Sequence, residues 1–129
     1  MIKYMNLIGI KARKASEYKV TTEVKNKVLN DYAKLIKNEK KFIINQNSKD
    51  INYARKKGLK ENLIKRLHLN ENKLDGIINS ILKIAKLRDP IDSTLEKWKR
   101  PNGLNIKRVS IPIGVIGVIY ESRPNVTSD

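Results

Sequence analysis

The spacing of apolar residues along the chain changes near Pro101. Before this point, apolar residues recur at intervals of three and four, which is typical of amphipathic helices. After it, β-branched residues dominate and glycines appear, which favours strands. The pattern therefore predicts a helical N-terminal region over residues 1–100 and the start of a β-containing domain over residues 101–129.

The first predicted helix covers residues 23–46, with an apolar stripe on one side and lysines on the other. Thr21 or Thr22 is expected to cap its N-terminus, and Glu23 suits the positive end of the helix dipole. The stripe consists of Val24, Val28, Tyr32, Leu35, Ile36, Phe42 and Ile43.

Three more helices are predicted before the change in pattern. Asn47 is expected to cap one that ends at Gly58, and a short helix is expected over residues 61–67. Asn70 is expected to cap the third, which ends at Asp89–Pro90 because the residue before proline is steered away from helical geometry. We interpret their apolar stripes as core contacts.

Two segments after Pro101 are predicted to be strands. Residues 104–111 alternate in polarity, as a half-buried strand does. Residues 114–120 are apolar on both faces, which is typical of a buried strand in a parallel α/β sheet. Gly114 and Gly117 are expected to allow close backbone packing in that sheet, since a dinucleotide fingerprint would need a third glycine after the strand.

Residues 121–129 read as a loop from strand to helix, with helix-capping residue types at their end. A buried parallel strand needs neighbouring strands and a crossover, each of which requires a dozen or more residues. The pattern thus predicts an α/β sheet that is begun but not completed, and hence the N-terminal part of a longer protein.

The composition excludes several kinds of site. The chain has no cysteine, so it offers no disulfide, no thiolate metal ligand and no thiol nucleophile. The apolar run 7–10 is too short for a signal peptide, and the run 111–120 is about half of what a membrane-spanning helix needs. We therefore expect a cytoplasmic protein with no membrane partner. His68 is the single histidine and is interpreted as structural.

The net charge of +15 invites comparison with nucleic-acid-binding proteins. However, 21 of the 28 cationic residues are lysine, and isoleucine and asparagine are also abundant, so AT-rich coding explains the excess. The cations are spread from Lys3 to Lys107 rather than clustered. We expect no nucleic-acid partner, and keep a small basic helical module that binds RNA or an acidic protein as the alternative function.

Two residues of the loop after the apolar strand offer chemistry. Arg123 has a planar set of donors that suits a phosphate or a carboxylate, but it could equally pair with a neighbouring acidic side chain. Asn125 has an amide that could donate to a developing oxyanion, or could cap a helix. In open α/β sheets, ligands bind at the carboxyl ends of the strands, where this loop would lie.

The string Ile111-Pro-Ile-Gly-Val-Ile-Gly-Val-Ile-Tyr-Glu-Ser-Arg-Pro-Asn-Val-Thr127 closely resembles a signature of one enzyme family. This is the gamma-glutamyl phosphate reductase, or glutamate-5-semialdehyde dehydrogenase, family of the aldehyde dehydrogenase superfamily. The resemblance continues upstream through residues 47–50, 58–59, 66–69 and 87–90 and so covers nearly the whole chain.

The resemblance implies an α/β, aldehyde dehydrogenase-like fold, of which this chain is the mostly α-helical N-terminal region plus the first strands of the dinucleotide-binding domain. It implies NADPH-dependent reduction of L-glutamyl 5-phosphate to L-glutamate 5-semialdehyde and phosphate in proline biosynthesis. The family's nucleophilic cysteine lies downstream of this signature, so the 129 residues are expected to be inactive alone. A homo-oligomer and a functional link to glutamate 5-kinase are also implied.

Site roles follow from the same resemblance. Asn125 is expected to be the catalytic oxyanion donor, and Arg123 to bind the phosphate or carboxylate of the substrate. The family pattern places the cofactor-side wall at Tyr120, Glu121 and Ser122, and no metal is implied. In ordinary aldehyde dehydrogenases the oxyanion asparagine follows the corresponding glycine two residues sooner, which leaves open whether Arg123 or Asn125 faces the oxyanion.

Overall fold

In the computed structural model, which describes residues 2–121 and 123–128, five α-helices precede a two-stranded antiparallel sheet. A single 3₁₀ turn follows the sheet in this part of the chain. The elements are α1 (Ile2–Ser16), α2 (Thr22–Asn38), α3 (Lys40–Lys56), α4 (Glu61–Leu67), α5 (Glu71–Ala85), β1 (Thr94–Lys99), β2 (Asn105–Val109) and the 3₁₀ turn (Pro124–Thr127).

The chain divides into two compact units. The first unit combines the residues up to Thr22 with residues 88–117, and therefore contains α1 and the β1–β2 hairpin. The second combines residues 23–87 with the residues from Val118 onward, and therefore contains α2 to α5 and the 3₁₀ turn. The predicted domain boundary at residues 100 and 101 stays a prediction, and β1 lies on its N-terminal side.

The sequence pattern predicted only one of the two strands of the hairpin in the first unit. β2 lies within the expected strand 104–111, but β1, at Thr94–Lys99, was not predicted. The turn is short, since the Arg100 N–H donates to the Leu104 carbonyl at 2.9 Å. Every residue of β1 is exposed, so this strand lacks the one-sided apolar alternation by which strands are recognised.

Within the first unit, side-chain contacts join residues 19–22 to residues 89–92. The Thr22 hydroxyl donates to Asp89 Oδ2 at 2.9 Å, and Lys19 Nζ lies 2.9 Å from Asp92 Oδ2. The hydrogen bond from Lys19 to Asp92 raises the pKa of Lys19. Asp92 has φ of 58°, in the left-handed region where glycine is favoured.

The core of the second unit lies where α2 and α5 meet the linker between α4 and α5. A smaller apolar cluster lies between α3 and α4. The buried residues of the larger cluster are Ala33, Ile36, Leu69, Leu74, Ile78 and Ile81, and those of the smaller cluster are Ile51, Ala54 and Ile64.

The single helix predicted over residues 23–46 is wrong, because Glu39 separates α2 from α3. The spacing of apolar residues does not change at Glu39. The Glu39 N–H still donates to the Leu35 carbonyl and the Ile43 N–H to the Glu39 carbonyl, both at 2.9 Å. Helical hydrogen bonds thus continue on both sides of the break, and the periodicity continues with them.

The prediction that Asn47 caps a helix is also wrong. Asn47 lies in the middle of α3 and is only 4% exposed. Its amide nitrogen donates to the Leu67 carbonyl at 2.9 Å, and its amide oxygen accepts from the Leu69 N–H at 2.8 Å. A capping residue type is here used to satisfy backbone groups of a different segment, which the sequence pattern does not reveal.

Most other helix boundaries agree with the pattern, but α5 ends at Ala85, short of the predicted end at Asp89–Pro90. The short helix spans Glu61–Leu67 as predicted, and α2 begins at Thr22, which leaves Thr21 in the capping position. Asn70 caps α5 by accepting from the Lys73 N–H at 2.9 Å. Gly58 follows α3 with φ of 72°, a conformation that residues other than glycine rarely adopt.

The buried strand predicted over residues 114–120 is not formed. Residues 111–120 have no strand assignment and are all exposed, Ile113 at 93%. A strand depends on hydrogen bonds from a neighbour, and none of the described segments pairs with this one. Close packing at Gly114 and Gly117 is likewise wrong, since an added Cβ would meet nothing within 4 Å; Gly114 instead has φ of 102°.

The described residues include no helix that is both long and apolar enough to cross a membrane.

Candidate functional site in residues 120–128

The 3₁₀ turn Pro124–Thr127 begins directly after Arg123. Arg123 is exposed and non-helical, with φ of −134° and ψ of 89°, and its carbonyl accepts from the Val126 N–H at 3.1 Å. Proline suits the first position of a helical turn because its φ is already fixed there and it has no N–H to satisfy. The Arg-Pro-Asn sequence therefore accounts for where the turn begins.

Asn125 lies inside this turn and is half-buried. Its carbonyl accepts from both the N–H and the hydroxyl of Ser128, at 2.9 and 2.7 Å. Since Arg123 takes the position before the turn, Asn125 does not cap it.

A side-chain contact links the two ends of the segment. Tyr120 Oη lies 2.9 Å from Thr127 Oγ1, and either hydroxyl could be the donor. Tyr120 and Glu121 are both exposed. Ser122, the third residue predicted for the cofactor side, lies outside the described residues.

Two cavities of the second unit are lined both by the 3₁₀ turn and by the helices. A cavity of about 310 Å³ lies between the turn and the helical core, and Asn47 and Leu69 are part of its wall. A second cavity of about 360 Å³, called here the Asn125 cavity, reaches α5 and the end of α4. Its lining residues are Arg66, His68, Leu69, Lys73, Gly76, Ile77, Ser80, Pro124 and Asn125.

The Asn125 cavity has cationic groups and no carboxylate among its lining residues. Arg66 and Lys73 contribute the cations, and His68 also lies in the wall. Lys73 Nζ donates to the carbonyl oxygens of Lys65 at 3.4 Å and His68 at 2.5 Å. These bonds hold the ammonium group at the end of α4, where the partial negative charge of the helix dipole favours a cation.

Sequence reasoning missed Arg66, Lys73 and Ser80 as candidate site residues. Lys73 and Ser80 lie seven apart on α5 and so share a helix face. Their spacing gives no useful signal, because exposed lysines occur throughout the helices. Only the position of the 3₁₀ turn distinguishes Lys73 from the rest.

The predicted site residues are brought together only in part. Arg123 and Asn125 lie at the start and in the interior of one turn, and Asn125 reaches a cavity wall. His68 is exposed and lines the Asn125 cavity. Within the described ranges, no three His, Cys, Asp or Glu residues come close enough together to hold a metal ion.

Several known proteins similar to this chain are gamma-glutamyl phosphate reductases. Gamma-glutamyl phosphate reductase of Nautilia profundicola is 46% identical over 107 residues, which are 83% of this chain. The crystal structure of gamma-glutamyl phosphate reductase from Thermotoga maritima matches 92% of the chain with a TM-score of 0.82 and 41% identity. The crystal structure of gamma-glutamyl phosphate reductase from Saccharomyces cerevisiae matches 95% of the chain with a TM-score of 0.88 and 30% identity.

The match extends over a limited part of those proteins. The chain spans 26% of the Nautilia protein, and 29% and 32% of the two crystallised chains. No model of a known protein family matches it. In both sequence and mostly helical fold, this chain is similar to the N-terminal region of gamma-glutamyl phosphate reductases.

Proposed function

We propose that this chain is the N-terminal region of an NADP-dependent glutamate-5-semialdehyde dehydrogenase. The enzyme would reduce L-glutamyl 5-phosphate to L-glutamate 5-semialdehyde, with release of phosphate, in proline biosynthesis. The observation that carries the proposal is the agreement of sequence and fold with the Thermotoga protein over 92% of the chain. Residues 1–100 would form the helical lead-in and residues 101–129 the start of the dinucleotide-binding domain.

Asn125 and Arg123 would act on the substrate. The turn lies against the helical part of its unit, and Asn125 is half-buried in it, which supports a fixed position for the amide. A preorganised donor stabilises the negative charge that develops on a carbonyl oxygen under attack. Arg123 is exposed at the start of the turn and can offer paired N–H donors to a phosphate or carboxylate.

NADPH, when bound, would supply the hydride. Tyr120, Glu121 and Ser122 are proposed to face it, but Tyr120 and Glu121 are exposed and follow an extended segment that is exposed throughout. The described residues therefore do not form an enclosed dinucleotide site by themselves. The nucleophilic thiolate of the family must also come from outside these 129 residues, since they contain no cysteine.

The same proposal holds that the enzyme is cytoplasmic, forms a homo-oligomer and is functionally linked to glutamate 5-kinase.

The reverse reaction tests the proposal on the complete gene product that contains these residues. With L-glutamate 5-semialdehyde, phosphate and NADP, we expect phosphate-dependent formation of NADPH, followed by absorbance. Absence of NADPH formation by a folded, complete protein would contradict the proposal.

Variants of the same protein test the two roles. Asn125→Ala is expected to lower kcat about 100- to 1000-fold, as loss of an oxyanion donor does. Arg123→Ala is expected to raise KM for phosphate or for the semialdehyde. The matched controls are Asn72→Ala and Arg13→Ala, which change exposed residues of α5 and α1 and should leave both constants unchanged.

A further inference from the structure

We propose that the Asn125 cavity is an anion subsite, in which Lys73 and Arg66 bind the phosphate or the carboxylate group of the substrate. The assignment to the substrate rests on the proposed function. The capacity to bind an anion rests only on the geometry of the cavity.

Lys73 is the best-positioned cation of the cavity. Its ammonium group donates to two carbonyl oxygens at the end of α4, those of Lys65 and His68. An ammonium group has three N–H donors, so one remains for a ligand. A lysine held in this way loses less side-chain entropy on binding than a free surface lysine does.

The rest of the wall suits the same chemistry. Arg66 adds a guanidinium group, and Ser80 and Asn125 add neutral groups that can donate hydrogen bonds. No aspartate or glutamate is among the lining residues, so no carboxylate in the wall opposes an anion. The volume of about 360 Å³ is near the lower end of the range for small-molecule sites.

The Asn125 cavity adjoins the proposed reacting centre. Asn125, the proposed oxyanion donor, is part of the wall, and Lys73 of α5 lines the same cavity. L-glutamyl 5-phosphate carries a phosphate at one end and a carboxylate at the other. Either group could occupy an anion subsite beside the oxyanion donor, so the experiment must separate them.

Direct titration of the 129-residue chain tests the subsite without any catalytic readout. Inorganic phosphate and L-glutamate are added in separate titrations, and amide NMR shifts are followed at Lys73, Gly76 and Asn125. Saturable shifts at these amides with phosphate assign the subsite to the phosphate group, and saturable shifts with L-glutamate alone assign it to the carboxylate. Saturation by neither ligand would overturn the proposal.

Matched variants separate the subsite from general attraction to a basic chain. Lys73→Gln and Arg66→Gln are each expected to weaken binding about tenfold, as loss of a hydrogen bond to a charged group does. Lys83→Gln changes another exposed lysine of α5 and is expected to leave binding within about twofold. Equal weakening by Lys73→Gln and Lys83→Gln would overturn the proposal.

The complete gene product supplies a second readout. In the reverse assay, Lys73→Gln should raise KM for the ligand identified by titration while leaving kcat nearly unchanged. Lack of activity in the wild-type protein would contradict the proposed function, whereas lack of site-specific titration would contradict the subsite, so the two failures are distinguishable.

Discussion

At the scale of single residues, Asn47 shows how one buried amide connects distant parts of the second unit. Its side chain satisfies the Leu67 carbonyl and the Leu69 N–H, which are 20 and 22 residues away along the chain. Leu69 belongs to the larger core cluster and lines both cavities beneath the 3₁₀ turn. The position of the α4–α5 linker, and with it the wall of the candidate site, therefore depends on this amide.

Replacing Asn47 should lower stability through these two lost bonds. We expect Asn47→Ala to reduce the free energy of unfolding by about 1–3 kcal/mol, because it leaves buried backbone groups without a partner. Urea denaturation measures the change. Asn52→Ala, at an exposed position of the same helix, should stay within about 0.5 kcal/mol of wild type, and equal effects of the two variants would contradict the role given to Asn47.

The contact between Lys27 and Asp31 predicts a pH dependence of stability. Lys27 Nζ lies 2.6 Å from Asp31 Oδ2, and this hydrogen bond lowers the pKa of Asp31 and raises the pKa of Lys27. The stabilisation from Asp31 is present above its ordinary pKa of 3.8 and is lost as the pH falls through the lowered value. The stabilisation from Lys27 is present below its ordinary pKa of 10.5 and is lost as the pH rises through the raised pKa.

Asp31→Asn should therefore lower Tm slightly near neutral pH and have no effect in acid well below the ordinary pKa of aspartate. The effect is small because both side chains are largely exposed. Thermal unfolding followed by circular dichroism at the two pH values measures it. A Tm difference that persisted unchanged in acid would show that the ion pair is not its cause.

At the scale of elements, residues 111–120 carry the largest difference between sequence pattern and structure. The segment has the apolar residues of a buried strand but is exposed along its whole length. Apolar composition favours burial, but a strand forms only when a neighbour supplies hydrogen bonds and a surface to cover it. Contiguous exposed apolar surface of this kind promotes association.

Self-association of the 129-residue chain should therefore depend on this segment. We expect Ile113→Ser combined with Ile119→Ser to reduce the larger species seen by sedimentation velocity, without loss of helical signal in circular dichroism. The matched control is Ile113→Leu with Ile119→Leu, which keeps the apolar surface and should associate as the wild type does. Equal association of the serine and leucine variants would contradict the prediction.

Helices were predicted better than strands for a physical reason. The capping of α5 by Asn70 and the bounds of α4 depend on residues close in the chain, so the local sequence specifies them. α1 was not predicted at all, because its apolar residues follow no single stripe and its large apolar side chains that are described are exposed. β1 was missed since both of its faces are exposed.

At the scale of the whole molecule, the net charge of +15 does not by itself indicate a nucleic-acid partner. We expect no detectable binding of nonspecific duplex to the chain at about 0.15 M salt, although a basic protein will bind a polyanion weakly when salt is low. Fluorescence anisotropy across a salt series measures this. Tight binding at the higher salt concentration would favour the alternative of a basic module that binds RNA.

The sequence by itself determined the resemblance to a family, the approximate helices and the Arg-Pro-Asn loop, because these depend on residue order and on contacts within a few positions. Tertiary structure decided that the Asn47 side chain is buried and bonded to the α4–α5 linker instead of capping a helix, and that Lys73, among many lysines, lines the same cavity as Asn125. The tertiary contacts join residues 20 or more positions apart. Their partners are set by how the helices pack, and no local pattern of polarity records that packing.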